Sequence, residues 1–137
     1  MNEDCIFCKI VQGLSPAARV YEDEEILAFL DRFPVARYHT LVIPKAHYSS
    51  IFEIPSETLS KLILVAQKIA RVYRDSLDIN NLQLLNNCGK YAQQDVFHIH
   101  FHIIPRFPQD GNNIVWPKHP EYQRDFPEML SRLPIIE

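Results

Sequence analysis

The sequence lacks long hydrophobic segments, an excess of basic residues and an even set of cysteines, and each absence excludes a class of protein. No stretch has eighteen uninterrupted apolar residues, and the first residues, MNEDCIFC, lack the basic start of a secretory signal. We therefore expect no membrane partner and a cytoplasmic location. The net charge of −3 argues against a nucleic-acid partner. Three cysteines, an odd number, do not suit a disulfide framework.

The length and composition predict one compact domain. A chain of 137 residues can bury one substantial core, and a composition that is 47% hydrophobic and 23% charged is typical of a soluble globular protein. Short apolar runs bounded by turn residues predict five strands, two of them a hairpin within 17–31 and the others at 39–44, 82–87 and 96–104. Hairpins without regular strand–helix alternation favour an α+β class with a mainly antiparallel sheet.

One long helix is predicted after Pro55, with Ser56 as its N-cap and Glu57 in its first turn. Its apolar residues repeat at helical spacing, at Leu59, Leu62, Ile63, Ala66, Ile69, Ala70 and Tyr73. This single apolar face predicts that the helix covers the sheet. Six of the ten prolines lie between Pro105 and Pro134, where no regular period is sustained, so we predict an ordered or semi-ordered tail.

The segment HIHFHII, residues 98–104, contains half of the six histidines. On a strand, His98, His100 and His102 would share one face, while the apolar residues between them would share the other and pack against the core. Most alternating strands place polar residues on one face only for solvation. Histidine is an uncommon choice for that purpose, because its pKa is near neutrality and its ring nitrogen can attack an electrophile or bind a metal.

Two chemistries suit this segment. An HxH pair can present two imidazoles to a zinc ion, but no HExxH motif or closely spaced carboxylate accompanies it, so a catalytic metal has little further support. Alternatively, one imidazole attacks phosphorus while its neighbours orient it, neutralise charge and move protons. The residues alone leave both chemistries open.

Several motifs together resemble the histidine-triad (HIT) family of nucleotide hydrolases and transferases. They are, in chain order, CIFCKIVQG, VYEDEEILAFLD, HTLVIPKAH, NNCG and QDVFHIHFHIIPR. The resemblance implies a single HIT domain over 1–137, with a core of about 5–106 and a proline-rich extension over about 107–137. It also implies a HIT-like fold, in which a short N-terminal helix joins the long helix and the five-stranded sheet.

The resemblance implies roles for individual residues. His100 corresponds to the nucleophile that forms a covalent nucleotidyl-histidine, His102 to the histidine that contacts phosphate and the leaving group, and His39 to one that supports the site and moves protons. Asp31 corresponds to a carboxylate that binds ribose hydroxyls. Other positions expected near the nucleotide are Asn87, Gln94 and Asp95. A carboxylate or amide can also serve as an ordinary turn residue at such places.

This chain departs from the usual pattern of the family at two places. Tyr38 precedes His39 where the family usually has glycine, and Gln93, Gln94 and Asp95 stand where it usually has GQS or GQT. Losing glycine restricts the backbone, and Asp95 replaces a hydroxyl donor with a carboxylate that would repel an anion unless it is turned away. A less heavily charged substrate is one consequence we expect.

The resemblance also implies a zinc site, because some family members bind zinc through an N-terminal CxxC and two histidines. The matching residues are Cys5, Cys8, His47 and His98. A Cys2His2 set is a closed, structural type of site, so His98 would not take part in catalysis. Two reduced cysteines without a metal are the alternative.

We therefore expect hydrolysis at the α-phosphate of a nucleotide conjugate, foremost a purine nucleoside phosphoramidate, without a catalytic cofactor. The closest alternative is a dinucleoside polyphosphate hydrolase with the same nucleophile. A zinc-stabilised nucleotide-binding or interaction module is a third hypothesis, which Tyr38 and Asp95 keep open. The family resemblance further implies a homodimer, paired through the long helix and an adjoining strand.

Overall fold

A computed structural model describes residues 2–136, which form a five-stranded antiparallel sheet between two helices. The strands are β1 (Arg19–Glu22), β2 (Ile26–Leu30), β3 (Thr40–Pro44), β4 (Leu82–Leu85) and β5 (Phe101–Pro105). The helices are α1 (Ile6–Val11), α2 (Ser56–Leu77) and α3 (Phe126–Ser131), with 3₁₀ turns at Lys90–Ala92 and Pro120–Asp125. The α+β class, the five strands, the long helix and the short N-terminal helix are confirmed. None of the described helices has the length and apolarity needed to cross a membrane.

The sheet, in the order β1-β2-β3-β5-β4, buries apolar side chains on both faces. In β2, Ile26 and Ala28 belong to the cluster beneath α2, whereas Leu27 and Phe29 belong to the cluster beneath α1. The register of β2 with β3 places Phe29 opposite Leu41, which lies in the same cluster. Because successive side chains of a strand point to opposite faces, β2 and β3 each contribute to two cores, one on each side of the sheet.

Helix α2 buries one face, as its periodicity predicts. The buried positions are Leu62, Val65, Ala66, Ile69 and Tyr73. The predicted N-cap is wrong by one residue, because Ser56 is already helical and Pro55 is the cap. The extended backbone of Pro55 suits that position, and its carbonyl accepts the first hydrogen bond, from Leu59 N–H at 2.9 Å. Ile63, predicted on the apolar face, is 37% exposed.

The predicted strand over 96–104 is wrong at its start, because β5 begins only at Phe101. The backbone leaves β3 before that point, where Ile99 N–H donates to Tyr48 O at 2.7 Å and the His98 ring donates to Pro44 O at 2.7 Å. The triad histidines therefore do not lie on one strand. Their alternation survives nonetheless, since Ile99 and Ile103 both pack beneath α2.

The tail is anchored where it leaves β5. Arg106 makes a two-point hydrogen bond to the Asp110 carboxylate, through Nε at 2.8 Å and an NH2 group at 2.9 Å. The same guanidinium donates to Gln83 in β4 and to Asn113. Helix α3, which the sequence did not predict, has no buried residue. Side-chain contacts thus hold the start of the tail against β4.

Candidate active site and metal site

A cavity of about 670 Å³ opens beside α1, at the ends of β2 and β5. Apolar side chains of α1 form one wall, and His100 and His102 lie among its polar lining. The remaining charged residues that line it are Asp31, Arg32 and Asp95. The sheet therefore presents a mostly apolar pocket with a few convergent polar groups, which is the usual character of a small-molecule site.

His100 is buried, with one ring nitrogen committed and the other free. Its Nδ1 lies 2.8 Å from the carbonyl oxygen of His98, so Nδ1 carries the proton and donates it. The ring of Phe7 meets the His100 ring edge-on, with the centroids 5.1 Å apart. Nε2 consequently keeps its lone pair in a fixed orientation, which is the state that a nucleophilic imidazole requires.

A chain of hydrogen bonds fixes the protons on His39 and His102. The Val35 N–H donates to His39 Nδ1 at 3.1 Å, so the proton of a neutral His39 lies on Nε2. That nitrogen is 2.9 Å from His102 Nδ1, to which it donates. The proton of His102 must then lie on Nε2. His102 is thereby held as a hydrogen-bond donor toward a ligand.

Burial keeps both of these histidines neutral. It is the main cause that lowers the pKa of His102 to about 4, and the neighbouring His100 and His39 lower it further. Burial also lowers the pKa of His39, partly opposed by the Asp31 carboxylate, whose Oδ2 is 3.4 Å from His39 Nε2. At neutral pH the pair therefore works through hydrogen bonding rather than through a fixed positive charge.

Asp31 directly follows β2, where it lies next to His39 and lines the cavity together with His102. Its Oδ1 accepts the Phe33 N–H at 2.9 Å, which orients the carboxylate. Asp31, His39 and His102 place their donor atoms close enough to be considered as a metal site. The hydrogen bonds do not favour a metal ion here, because the His39 nitrogen that would bind the ion is the one that carries the proton. The group is better suited to proton positioning than to ligation.

Three further residues predicted near the nucleotide lie between β4 and β5, and only one of them lines the cavity. Asp95 lines the cavity, with Oδ1 3.9 Å from His100 Nε2. Gln94 is buried, and its amide is used within the loop, where it accepts from Gly89 N–H and donates to Ser49 O and Val96 O. Asn87 is not among the residues that line the cavity. The structure thus brings Asp31 and Asp95, but not Asn87 or Gln94, to the cavity wall.

Tyr38 and Gln93, which stand where the family usually has glycine, both adopt backbone angles that suit glycine. Tyr38 has φ of 64° and Gln93 has φ of 68°, both in the left-handed region that glycine enters without cost. The Tyr38 ring packs on Tyr73, with the centroids 5.6 Å apart. The expected restriction therefore takes the form of backbone strain at these two residues.

Cys5, Cys8, His47 and His98 form the candidate metal site. His98 Nδ1 is 3.5 Å from Cys5 Sγ, 3.6 Å from Cys8 Sγ and 3.1 Å from His47 Nδ1, and Cys8 Sγ is 3.3 Å from His47 Nδ1. A tetrahedral zinc ion with ordinary bond lengths needs donor separations of about 3.3–3.8 Å. The three sulfur–nitrogen separations lie in this range, and the two imidazole nitrogens, at 3.1 Å, need to move apart only slightly, so the four donors suit a closed zinc site.

The hydrogen bonds and burial around this site also suit a metal. His98 donates its Nε2 proton to Pro44 O, which leaves the Nδ1 lone pair directed at the thiols. Burial raises the pKa of the Cys5 thiol and is the main cause that lowers the pKa of His98 to about 4. A bound divalent cation would favour the thiolate form of both cysteines. Its two positive charges would balance the two thiolates, while the imidazoles stay neutral.

Two functional contributions were not predicted from the sequence. Phe7 lies between the two cysteines in the chain and contacts both His98 and His100. The Val35 backbone N–H sets the proton positions on the histidine pair. The CxxC spacing could have indicated Phe7, because it fixes a short turn next to the triad, but no residue pattern indicates a backbone donor.

Comparison with known proteins decides the family. A family model described as the HIT domain matches residues 12–109. The chain belongs to the HIT family. Protein hit of Bacillus subtilis (strain 168) is 48% identical over 132 residues, which cover 96% of this chain and 90% of that protein. The adenosine 5'-monophosphoramidase HNT1 of Candida albicans is 38% identical over 123 residues, which cover 85% and 80% of the two chains.

Solved structures of HIT proteins confirm the fold. A member of the family from Bacillus subtilis has a TM-score of 0.84 and 45% identity, with 98% of this chain and 100% of that chain covered. A zinc-bound histidine-triad protein from Mycobacterium smegmatis has a TM-score of 0.75 and 41% identity, with 94% of each chain covered. The structural likeness to these two proteins therefore covers nearly all of this chain.

Proposed function

We propose that this HIT protein is a nucleotide hydrolase that cleaves nucleoside phosphoramidates at the α-phosphate, through a covalent nucleotidyl-His100. The observation that carries the proposal is the free Nε2 of His100 in the cavity, beside a neutral His102 that donates from its own Nε2. The naming of the Candida albicans relative as an adenosine 5'-monophosphoramidase supports this substrate class.

The proposed reaction has two balanced steps. In the first, a bond forms between His100 Nε2 and phosphorus while the phosphorus–nitrogen bond of the substrate breaks, and the amine leaves with one proton. Solvent supplies that proton at the cavity mouth, while the neutral His102 keeps its Nε2–H and donates a hydrogen bond to the reacting group. In the second step water attacks phosphorus, the bond to His100 breaks, and one proton is released with the nucleoside monophosphate.

The cavity wall suits a purine nucleoside. Ile6, Phe7 and Ile10 of α1 and Phe29 of β2 offer an apolar surface for a flat base. Asp31, near the end of β2, offers a carboxylate that can accept hydrogen bonds from both ribose hydroxyls. We therefore assign the base to the α1 wall and the ribose to Asp31.

A direct test is to incubate the protein with adenosine 5'-phosphoramidate and to follow both AMP release and protein mass. We expect turnover, and after rapid acid quench an adduct of one adenylyl group at His100. The variant His100→Ala should lose the adduct and about 10³-fold or more of the rate. His119→Ala, in the exposed tail, is the control. Undiminished turnover by His100→Ala would refute the nucleophile.

Dinucleoside polyphosphates are the second substrate class to test, since they would use the same nucleophile. Arg32 is the one cationic side chain that lines the cavity within residues 2–136, against the two carboxylates Asp31 and Asp95. This balance is unfavourable for a polyphosphate leaving group. We therefore expect diadenosine tetraphosphate to be the poorer substrate. A protein that binds nucleotide but neither forms the adduct nor turns over would instead be a binding module.

We infer that the Cys2His2 site holds a structural zinc ion. The donor separations support it, as does the zinc-bound relative from Mycobacterium smegmatis. In this position the ion would link the start of α1 to the segment that precedes β5. Elemental analysis of the purified protein should give one zinc per chain, and Cys8→Ser should lower that content.

We infer that the protein forms a homodimer through α2 and β4. A shallow apolar groove between these elements is lined in part by Ile63, Leu64 and Leu84, all of them exposed in the single chain. Covering such a surface is the usual role of a second subunit. Leu64→Glu should give a monomer by light scattering, whereas Val72→Glu, on α2 but outside the groove, should not. A dimer that tolerates Leu64→Glu would place the interface elsewhere.

A further inference from the structure

Asp95 is an acidic residue beside the nucleophile whose role the reaction above leaves open. Its side chain is 81% exposed, yet its Oδ1 is only 3.9 Å from the buried His100 Nε2. The same oxygen accepts the Val96 N–H at 2.9 Å, which fixes the carboxylate against its own backbone. Asp95 thus marks the mouth of the cavity on the side of the attacking nitrogen.

The leaving group of the substrate must lie near this mouth. The base and ribose are assigned to the inner wall and to Asp31, so the substituent on phosphorus that is displaced extends toward solvent. The exposed carboxylate of Asp95 is the charged group at that exit next to His100. A leaving group that leaves the cavity on this side therefore passes through the field of a negative charge.

The remaining charges do not cancel that field. Arg32 and Asp31 are adjacent in the chain and oppose one another in sign along the cavity lining. His102 is neutral at pH 7, because its pKa is held near 4. The reacting end of the cavity thus has a net negative charge. The phosphate of the substrate is also negative, so the two repel each other. A cation on the leaving group would relieve this repulsion.

We propose that Asp95 is a specificity-determining residue that selects nucleoside phosphoramidates whose leaving amine carries a second, positively charged group, such as an alkyl diamine. The inference rests on the proposed function. It goes further by naming the charge of the leaving group and the residue that selects it. Anionic leaving groups, including amino acids linked through nitrogen and pyrophosphate, are disfavoured by the same carboxylate.

The test compares three adenosine 5'-phosphoramidates of similar size, with 2-aminoethyl, propyl and carboxymethyl substituents on nitrogen. For the wild-type protein we expect kcat/KM to fall in the order cationic, neutral, anionic, by about 3- to 10-fold per unit of charge. Raising the salt concentration should compress the series, because the carboxylate is exposed.

Asp95→Asn keeps the oxygen that accepts the Val96 N–H and removes only the charge. We expect this variant to treat the three substrates nearly alike, with the neutral substrate changed least. Asp75→Asn, which removes an exposed carboxylate paired with Arg74 on α2, controls for net charge and should keep the wild-type order. A purely structural role of Asp95 would lower all three rates together.

The outcomes separate this inference from the proposed function. If the neutral substrate is turned over through the His100 adduct but the charge preference is absent, or persists in Asp95→Asn, the selectivity assigned to Asp95 is wrong and the phosphoramidase activity stands. If no substrate is turned over and no adduct forms, the proposed function fails and this inference fails with it.

Discussion

His39 and His102 are joined by a hydrogen bond of 2.9 Å from Nε2 to Nδ1, and the direction of that bond is set from outside the pair. Because the Val35 N–H occupies His39 Nδ1, His39 can only donate to its partner. His102 can then only donate toward the cavity. One backbone amide in the connection between β2 and β3 thus determines what an imidazole on β5 offers to a substrate.

Replacing His39 tests this arrangement. In His39→Ala, His102 loses the donor that fixes its tautomer, and we expect kcat to fall by about 10²-fold or more with a smaller change in KM. His39→Gln, whose amide can still donate a hydrogen bond, should recover part of the rate. Steady-state kinetics with adenosine 5'-phosphoramidate measures both. Equal rates for His39→Ala and the wild type would show that the tautomer is not controlled by this bond.

The lowered pKa of His102 predicts an acid-sensitive fold. In the unfolded chain its pKa is near 6.5, so between about pH 6.5 and pH 4 the unfolded state binds more protons and gains stability relative to the folded state. On lowering the pH from 7 to 5, His102 should account for about 1 kcal/mol of lost unfolding free energy, after allowance for its partial exposure.

Urea unfolding at pH 7 and pH 5 measures this loss. His102→Gln cannot titrate in the range, so its free energy of unfolding should fall less than that of the wild type over the same interval. Both proteins must have the same zinc content for the comparison. A larger fall for the variant would contradict a neutral, buried His102.

Gln93 offers a test of backbone strain at the cavity loop. Its φ of 68° suits glycine, so Gln93→Gly should stabilise the protein by up to about 1 kcal/mol. Gln67→Gly in α2 is the matched control, and the same change there should destabilise by about 1 kcal/mol because the position is helical. Chemical denaturation gives both values. Destabilisation by Gln93→Gly would mean that its side chain makes the larger contribution.

Removal of the proposed zinc ion should affect substrate binding more than chemistry. Helix α1 has six residues, too few to persist in water alone, and Cys5 and Cys8 attach it to the rest of the site. A chelator should therefore raise KM more than it lowers kcat and should speed amide exchange over 6–11. Complete loss of kcat with α1 still protected would instead indicate a catalytic metal.

The Arg106–Asp110 pair should hold the tail in place. Its two side chains are only 15% and 13% exposed, and the Arg106 guanidinium holds the pKa of Asp110 well below its usual range. Asp110→Ala should make the segment after it more sensitive to proteases and lower the melting temperature. The same change at Asp75, in the exposed pair with Arg74, should do neither. Equal protease sensitivity of the two variants would contradict this role.

Most of the fold was predictable because the spacing of apolar residues within each segment indicates its secondary structure. The β2 strand, with apolar residues on both faces, and α2, with one apolar stripe, carry their structure in their own residues. The start of β5 was not predictable in this way. It depends on a hydrogen bond from the His98 ring to Pro44 O, 54 positions away in the chain. Long-range side-chain contacts of this kind override a strand pattern.

The site shows the same division. The motifs predicted one site for four residues, and the structure places all four close to one another. They are His39, His100, His102 and Asp31. Gln94 matched a motif position, but its side-chain amide hydrogen-bonds to backbone groups of this chain. The spacing of residues in the sequence does not predict such bonds. Helix α3 was missed because it has only six residues, carries Pro127 in its first turn and buries none of its side chains within residues 2–136.

Tyr38 and Gln93 have a consequence for recognising relatives of this chain. Both take up the backbone angles of a glycine without being glycine. A search pattern that demands glycine at these positions would pass over this protein, whereas a pattern written in backbone angles would retain it. The absence of glycine at these two positions is therefore a poor guide to the backbone conformation found there.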